Sequence, residues 1–383
     1  MSNLYFHYPF CKQACHYCNF HFSTNQKEVD QLEEGMLKEL DLRLTELKTP
    51  LESIYFGGGS PSLLSADKLS NLIHQSKAKF SFHDGIEITL EVNPDDVSKS
   101  YLKDVKEAGV NRLSLGVQSF YEKDLKLMNS AHSGDQALQS MEWVSSVFSN
   151  FSVDLIYGMP NSTLKEWETN LNQALKFNPP HISTYALTVE EKTALYYQVE
   201  KGEVFLLIEE DVKAQYDFLV KRLEALNFIN YEFSNFGKKD FFSINNQNYW
   251  NGKPYLGIGP SAHSYDGAST RTWNVSNNHK YVAALKKGFL DNETERLSKK
   301  DQYNEYVMIG LRKIEGLSKE DSDSLLFELY IHMAQEKYIY RHQWQPNMLI
   351  MWDNRTVMHM AEGGYDGYER LLHRITIAGD TTH

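Results

Sequence analysis

Cysteine is nearly absent from this chain. Of 383 residues only three are Cys, they lie between positions 11 and 18, and none follows. An odd, crowded set is poor material for a disulfide framework and good material for a metal. Positive charge is also short. Lys and Arg number 39 against 51 Asp and Glu, a formal net charge of −12, which excludes general affinity for nucleic acid or an anionic membrane. No apolar run approaches the length of a transmembrane helix. The first residues, MSNLYFHYPFCKQAC, have neither the basic start nor the apolar stretch of a signal peptide. A cytoplasmic protein without an integral membrane segment or a nucleic-acid partner is the expectation. The hydrophobic fraction of 41% is ordinary, and the length suffices for a large domain with an appendage.

Through the first half, short β-type runs alternate with amphipathic stretches. The runs are NLYFHYPF, SIYFGGG, EITLEVNP, RLSLGVQS, FSVDLIYGMP and HISTYALT, spaced at about 30 to 40 residues in the manner of parallel βαβ units. Helical periodicity falls at 29–47, 66–79, 98–108 and 164–177. Six such strands predict a partial (β/α)6 barrel, with chemistry at the C-terminal strand ends. Those ends carry the cysteines, the glycine run 57–61, Glu91, Gln118 and Asp154. From about residue 190 the pattern changes to helices near 191–201 and 211–226, an aromatic and glycine-rich stretch, and the helical LSKKDQYNEYVMIGLRKIEGLS. The expected division is a barrel over 1–190, a C-terminal α+β extension over 191–320 and a foreign tail over 321–383.

Cys11, Cys15 and Cys18 stand as Cys-x3-Cys-x2-Cys on one loop after a strand. A cubane cluster has four irons, so three thiolates leave one iron open. An open iron can chelate the amino and carboxylate groups of S-adenosylmethionine. Spacing alone also allows zinc, with His7, His16 or His21 as a fourth ligand.

The loop, aromatic-flanked as CHYCNF, resembles that of the radical SAM superfamily, and Gly57-Gly58-Gly59-Ser60-Pro61 resembles its glycine-rich strand end. Without Cβ atoms that backbone can approach a ligand closely. LEVNP, LGVQSF, DLIYGMP and YLGIGPSAHSY, in this order, resemble the oxygen-independent coproporphyrinogen oxidase family, and within it the HemW-type haem chaperones. The resemblance covers about residues 1–320. The oxidase branch has a further cysteine two positions after the third, where this chain has Phe20, which favours the chaperone branch.

The resemblance implies a [4Fe–4S] cluster on the three cysteines. It places Tyr5, Gly58, Gly59, Ser60, Glu91, Gln118 and Asp154 around S-adenosylmethionine, with Glu91 on ribose hydroxyls and Asp154 at the adenosyl end. It further implies haem, an electron donor and a haem-accepting protein as partners. A carboxylate at a strand end is otherwise often a cap or an ion-pair partner. Two departures stand out. Ser130 takes the place of an arginine, a planar and always charged donor, so weaker S-adenosylmethionine binding is expected. The chaperones' haem motif His-Asn-x-x-Tyr-Trp reads here from Asn245 to Trp250 as NNQNYW. Asparagine is a poor haem-iron ligand, which leaves Tyr249 and Trp250 to stack on a porphyrin. His263 is a substitute ligand, with a core histidine as the plainer alternative.

The end of the chain, YRHQWQPNMLIMWDNRTVMHMAEGGYDGYERLLHRITIAGD, resembles the C-terminus of taurine dioxygenase-like Fe(II)/2-oxoglutarate oxygenases. That likeness implies His359 as the distal iron ligand and Arg370 and Arg374 as holders of 2-oxoglutarate. The other two ligands come from a His-x-Asp/Glu pair. None of the 14 histidines is followed two places later by Asp or Glu. An oxygenase remnant with negligible iron affinity is the expectation.

Overall fold

The computed structural model describes residues 1–333 and 335–340. The chain divides into two compact units, Met1–Ser318 and Lys319–His383. In the first unit, β1 (Ser2–Tyr8), β2 (Leu51–Gly58), β3 (Phe82–Val92), β4 (Arg112–Gln118), β5 (Phe151–Tyr157) and β6 (His181–Ala186) are parallel neighbours in that order. These are the six runs expected from the sequence. The sheet does not end there. β7 (Ile229–Glu232) and β8 (Asn235–Gly237) extend it antiparallel beyond β6. At the opposite edge, β9 (Tyr255–Ile258) pairs parallel with β1, followed by antiparallel β10 (His263–Tyr265), β11 (Thr270–Asn274) and β12 (Asn292–Arg296). Among the described residues this is one mixed sheet running from β12 to β7, and its ladder does not return on itself.

The connecting helices start where short polar residues can cap orphan backbone N–H groups. Ser65 caps Ala66–Lys79 and Ser98 caps Lys99–Glu107. Ser133 with Gln136, and Thr163 with Glu166, form capping boxes on Gly134–Val147 and Leu164–Leu175. The helix Val29–Leu42 is shorter than its periodicity suggested, because Arg43 leaves the helical conformation. The Arg43 guanidinium, 1% exposed, donates to Glu39 at 2.9 Å, to the Gly257 carbonyl at 2.9 Å and to Ser264. Glu39 in turn accepts from Gly259 N, Asn274 Nδ2 and the Tyr281 hydroxyl. This buried network ties the first helix to the strands after β8.

Successive side chains of a strand point to opposite faces, and here the two faces differ in chemistry. Leu4, Phe6, Ile54, Phe56, Ile88, Leu90, Leu113, Leu115, Val153 and Leu155 are buried in one cluster with helix residues such as Met36, Leu69, Leu102, Met141 and Leu171. The alternate positions are polar: Asn3, Tyr5, Ser53, Tyr55, Thr89, Glu91, Arg112, Ser114, Ser152, Asp154, His181 and Ser183. A parallel sheet buried on both faces would read as continuous hydrophobic runs. The core therefore lies on the helix side, and the polar face carries the site.

Candidate cofactor site

The loop after β1 is anchored on several elements, which suits a segment that has no regular structure of its own. Gly59 N and Ser60 N, at the end of β2, donate to the carbonyls of Tyr8 and Phe10 at 2.7 Å each. Lys12 bridges Asp95 at 2.9 Å and Asp96, just beyond β3. Gln13 donates to Asn129 Oδ1 at 2.7 Å, Asn129 donates back to the Ala14 carbonyl, and His16 N reaches the Met128 carbonyl. Leu195 N donates to the His16 carbonyl. Gly59 has a steric reason to be glycine. A Cβ there would stand 2.7 Å from the Phe10 carbonyl oxygen, 2.9 Å from that of Tyr8 and 3.0 Å from the Cys11 sulfur.

Cys11, Cys15 and Cys18 are half-buried free thiols. Burial pushes Cys11 up to about 11 despite a hydrogen bond with Ser60. Cys15 rises to about 12 and Cys18 rises as well, burial again the main cause, with the Cys18 and Cys11 sulfurs adding to the shift at Cys15. A bound cation reverses this balance and holds thiolates deprotonated. Three half-buried sulfurs on one anchored loop fit a metal cluster as donor set. Among the described residues no group of three or more His, Cys, Asp or Glu side chains is already placed to hold a metal ion. The nearby histidines are engaged elsewhere. His7 bonds Tyr5 through Nδ1 and the His21 carbonyl through Nε2; His16 Nδ1 meets the Leu127 carbonyl and His21 Nε2 meets Asn278.

Tyr5, Tyr55, Glu91 and Asp154 share the polar face, retain some accessible surface, and lie deep among protein atoms. Tyr5 stacks on Tyr55 with ring centroids 6.0 Å apart. Glu91 Oε1 accepts from the Tyr55 hydroxyl at 2.8 Å and Oε2 from Gly58 N at 3.2 Å. Burial raises the Glu91 carboxyl to about 7, and the charge of Asp154 adds to this against the two hydrogen bonds. Asp154 accepts from Ser114, Ser152 and Ser183; burial raises it, while these hydroxyls and Arg112 oppose the shift. Gln118 has a left-handed backbone (φ 63°) at a bulge closing β4, and a Cβ on Gly116 would meet its Nε2 at 3.0 Å. Ser60 is buried between Cys11 and Asn93, whose Nδ2 donates to its hydroxyl at 2.7 Å. The residues named from sequence on four strands are thus brought to one face, with Gly58, Glu91 and Gln118 at strand ends and Asp154 in the middle of β5 rather than at its end.

The haem motif sits elsewhere. Its helix, Ile244–Trp250, covers the opposite, N-terminal ends of the strands. Ile244 N and Asn245 N donate to Glu87, and Asn248 donates to Asn3 at 2.7 Å and to Glu52. Asn245 is 3% exposed and lies beside Ser53. Tyr249 packs edge-on against Tyr255 at 4.5 Å, and the Arg312 guanidinium stands 4.5 Å over the Trp250 ring. The two expected stacking aromatics already have protein partners. Ser130 bonds His132 Nδ1 at 3.0 Å and brings no charge. His263 is not a core histidine: it is exposed and stacks on Trp273, because its strand lies near the sheet's edge. His359, Arg370 and Arg374 lie outside the described residues.

Sequence reading passed over Tyr55, Lys12, Asn93 and the serines around Asp154. Tyr55 had a signal, two places before Gly57 on a strand where period two puts both on the polar face. Lys12 had none, since its partners come from a different βα unit.

Three cysteines after the first strand, a glycine run after the second and carboxylates on the third and fifth define a radical SAM protein. The profile of the radical SAM superfamily matches residues 5–174. Within that superfamily the chain belongs to the family of heme chaperone HemW: it is 36% identical over 325 residues to heme chaperone HemW of Bacillus subtilis (strain 168), covering 84% of this chain and 86% of that one. Heme chaperone HemW of Lactococcus lactis subsp. lactis (strain IL1403) is 33% identical over 371 residues, 95% of this chain and 94% of that one. Coproporphyrinogen III oxidase (HemN) from Escherichia coli, described as a radical SAM enzyme, shares the fold with a TM-score of 0.72 at 22% identity, over 86% of this chain and 80% of that one. A profile of the taurine catabolism dioxygenase TauD, TfdA family matches residues 243–376. That match begins well before residue 321 and overlaps the length shared with the Lactococcus relative. No helix among the described residues is long and apolar enough to cross a membrane.

Proposed function

We propose that this protein carries a [4Fe–4S] cluster on Cys11, Cys15 and Cys18, binds S-adenosylmethionine beside it, and passes haem to a haem-accepting protein. One observation carries the reading: the cysteine loop is locked onto Gly59 and Ser60 at the end of a polar sheet face bearing Glu91 and Asp154. The six parallel strands are read as the partial barrel. When bound, the cluster supplies an electron from a donor protein to the ligand's sulfonium. Gly58, Gly59 and Ser60 contact the methionyl group, and Tyr5 and Gln118 border it. Glu91, when ionised, accepts from ribose hydroxyls. Asp154, which accepts from Ser114, Ser152 and Ser183, faces the adenosyl end.

Iron, sulfide and zinc content of anaerobically purified protein tests the reading, with about four irons per chain expected and an EPR signal that changes on adding S-adenosylmethionine. Stoichiometric zinc without iron would sink it. The chaperone reading is preferred over porphyrinogen decarboxylation because Phe20, 66% exposed at the loop, stands where the oxidases have a cysteine. Product analysis with coproporphyrinogen under reducing, anaerobic conditions separates the two. The oxygenase-like stretch is read as inactive, since no His-x-Asp/Glu pair occurs in the chain. Oxygen-dependent release of succinate from 2-oxoglutarate would contradict that.

A further inference from the structure

Glu91 is held by two protein donors, one on each oxygen. Gly58 N belongs to the glycine strand end; the other donor, the Tyr55 hydroxyl, has no part in the reading above. An ionised carboxylate offers about four acceptor sites on its two oxygens, so a donor on each still leaves a site on each. The two donors also fix the plane of the group, and hence where its remaining lone pairs point. A vicinal diol presents two hydroxyl donors side by side, and a carboxylate held in one plane can accept from both.

The Tyr55 phenol is itself immobilised. Its ring lies against Tyr5, 25° from parallel, and the two residues are register partners on β1 and β2. Gly57 is the hub of this packing. A Cβ at that position would stand 2.9 Å from Tyr55 Cε1, 3.0 Å from Glu91 Oε1 and 3.0 Å from Tyr5 Cε2. The φ of Gly57 is not in the left-handed region, so its lack of a side chain answers to space rather than to backbone conformation. Gly57 thus lets two tyrosines and a carboxylate from three adjacent strands close on one point.

We propose that Tyr55 is a positioning residue that holds the Glu91 carboxylate in the orientation that receives the ribose diol of the nucleoside ligand, with Gly57 as the space that makes the contact possible. The inference rests on Glu91 being the ribose acceptor of the function proposed above. Tyr55 acts through Glu91, so its removal weakens only the part of the binding energy that the diol supplies. Preorganisation of this kind matters because a carboxylate that must reorient on binding loses part of the hydrogen-bond gain.

The test measures calorimetric binding of S-adenosylmethionine and of its 2′,3′-dideoxy counterpart to the full chain with its cluster reconstituted. Tyr55→Phe is expected to weaken S-adenosylmethionine about tenfold, the scale of one hydrogen bond to a charged group. The dideoxy ligand should bind Tyr55→Phe as it binds the wild type. Glu91→Gln should show the same selectivity with a larger loss. Equal loss for both ligands in Tyr55→Phe, or no loss for either while Glu91→Gln is selective, overturns the inference and leaves Glu91 as ribose acceptor. A wild type that binds neither ligand, or binds both equally well, instead overturns the reading on which the inference rests. Circular dichroism of Tyr55→Phe separates a lost contact from a lost fold, and Gly57→Ala provides a second variant expected to share its selectivity.

Discussion

A methyl group placed on Gly59 would stand 3.0 Å from the Cys11 sulfur, so the end of the second strand and the cysteine loop are built against each other. Gly59→Ala should displace the loop and lose most of the bound iron. The accompanying overpacking is expected to cost about 1–3 kcal/mol. Iron content after anaerobic reconstitution, together with a urea unfolding curve, checks both. Retention of full iron with unchanged stability would show that the loop does not need this contact.

Glu91 predicts a pH dependence. Its carboxyl is raised to about 7, and the ionised form accepts more strongly from ribose hydroxyls than the protonated one. Affinity for S-adenosylmethionine should therefore rise with pH through the neutral range and level off above it. The groups that bear on Glu91 are Tyr5 and Tyr55 from the first two strands, Asp154 and Tyr185 from the fifth and sixth, and Cys18 from the loop.

Stability of the apo-protein runs the other way. Between the ordinary carboxyl value and about 7, folded Glu91 keeps a proton that the unfolded chain has released, so stability falls as pH rises across that window. Glu91→Gln has no such loss. Its melting midpoint relative to the wild type should be higher at pH 8 than at pH 5. A difference that does not change with pH would show that burial does not perturb this carboxyl.

Arg43 is 1% exposed and Glu39 fully buried, joined at 2.9 Å. Removing one partner leaves an uncompensated charge, which typically costs about 3–5 kcal/mol. Arg43→Ala should shift the urea midpoint accordingly. A change below about 1 kcal/mol, the range of exposed ion pairs, would mean that water reaches the site.

Asn245→His restores the residue of the chaperone haem motif. At a position 3% exposed, the larger ring should lower stability by about 1–3 kcal/mol and leave haem affinity unchanged. A rise in affinity on haem titration would show that the helix Ile244–Trp250 opens to admit the ligand.

The six parallel strands, most of their helices and the cysteine and glycine loops were legible in the chain, because period, caps and turn residues act within a few positions of one another. Glu91 and Gln118 could likewise be placed at the ends of their runs, whereas Asp154 falls in the middle of its own. What the sequence by itself determined is a local inventory: which segments are strands, and which chemistry each strand end carries. The end of the first helix at Leu42 was not in that inventory, since Arg43 is drawn out by Gly257 and Ser264, more than two hundred residues away.

Tertiary structure alone decided three further things. Four strands attach beyond β1, so that the sheet is larger than the six strands expected. The helix bearing Asn245 closes the end of the polar face opposite the cysteines. Tyr55 meets Glu91 around the gap left by Gly57. The physical reason is common to all three. Strand pairing and the choice of buried partner are settled by contacts between residues distant in the chain, and no local periodicity records which strand end will face which.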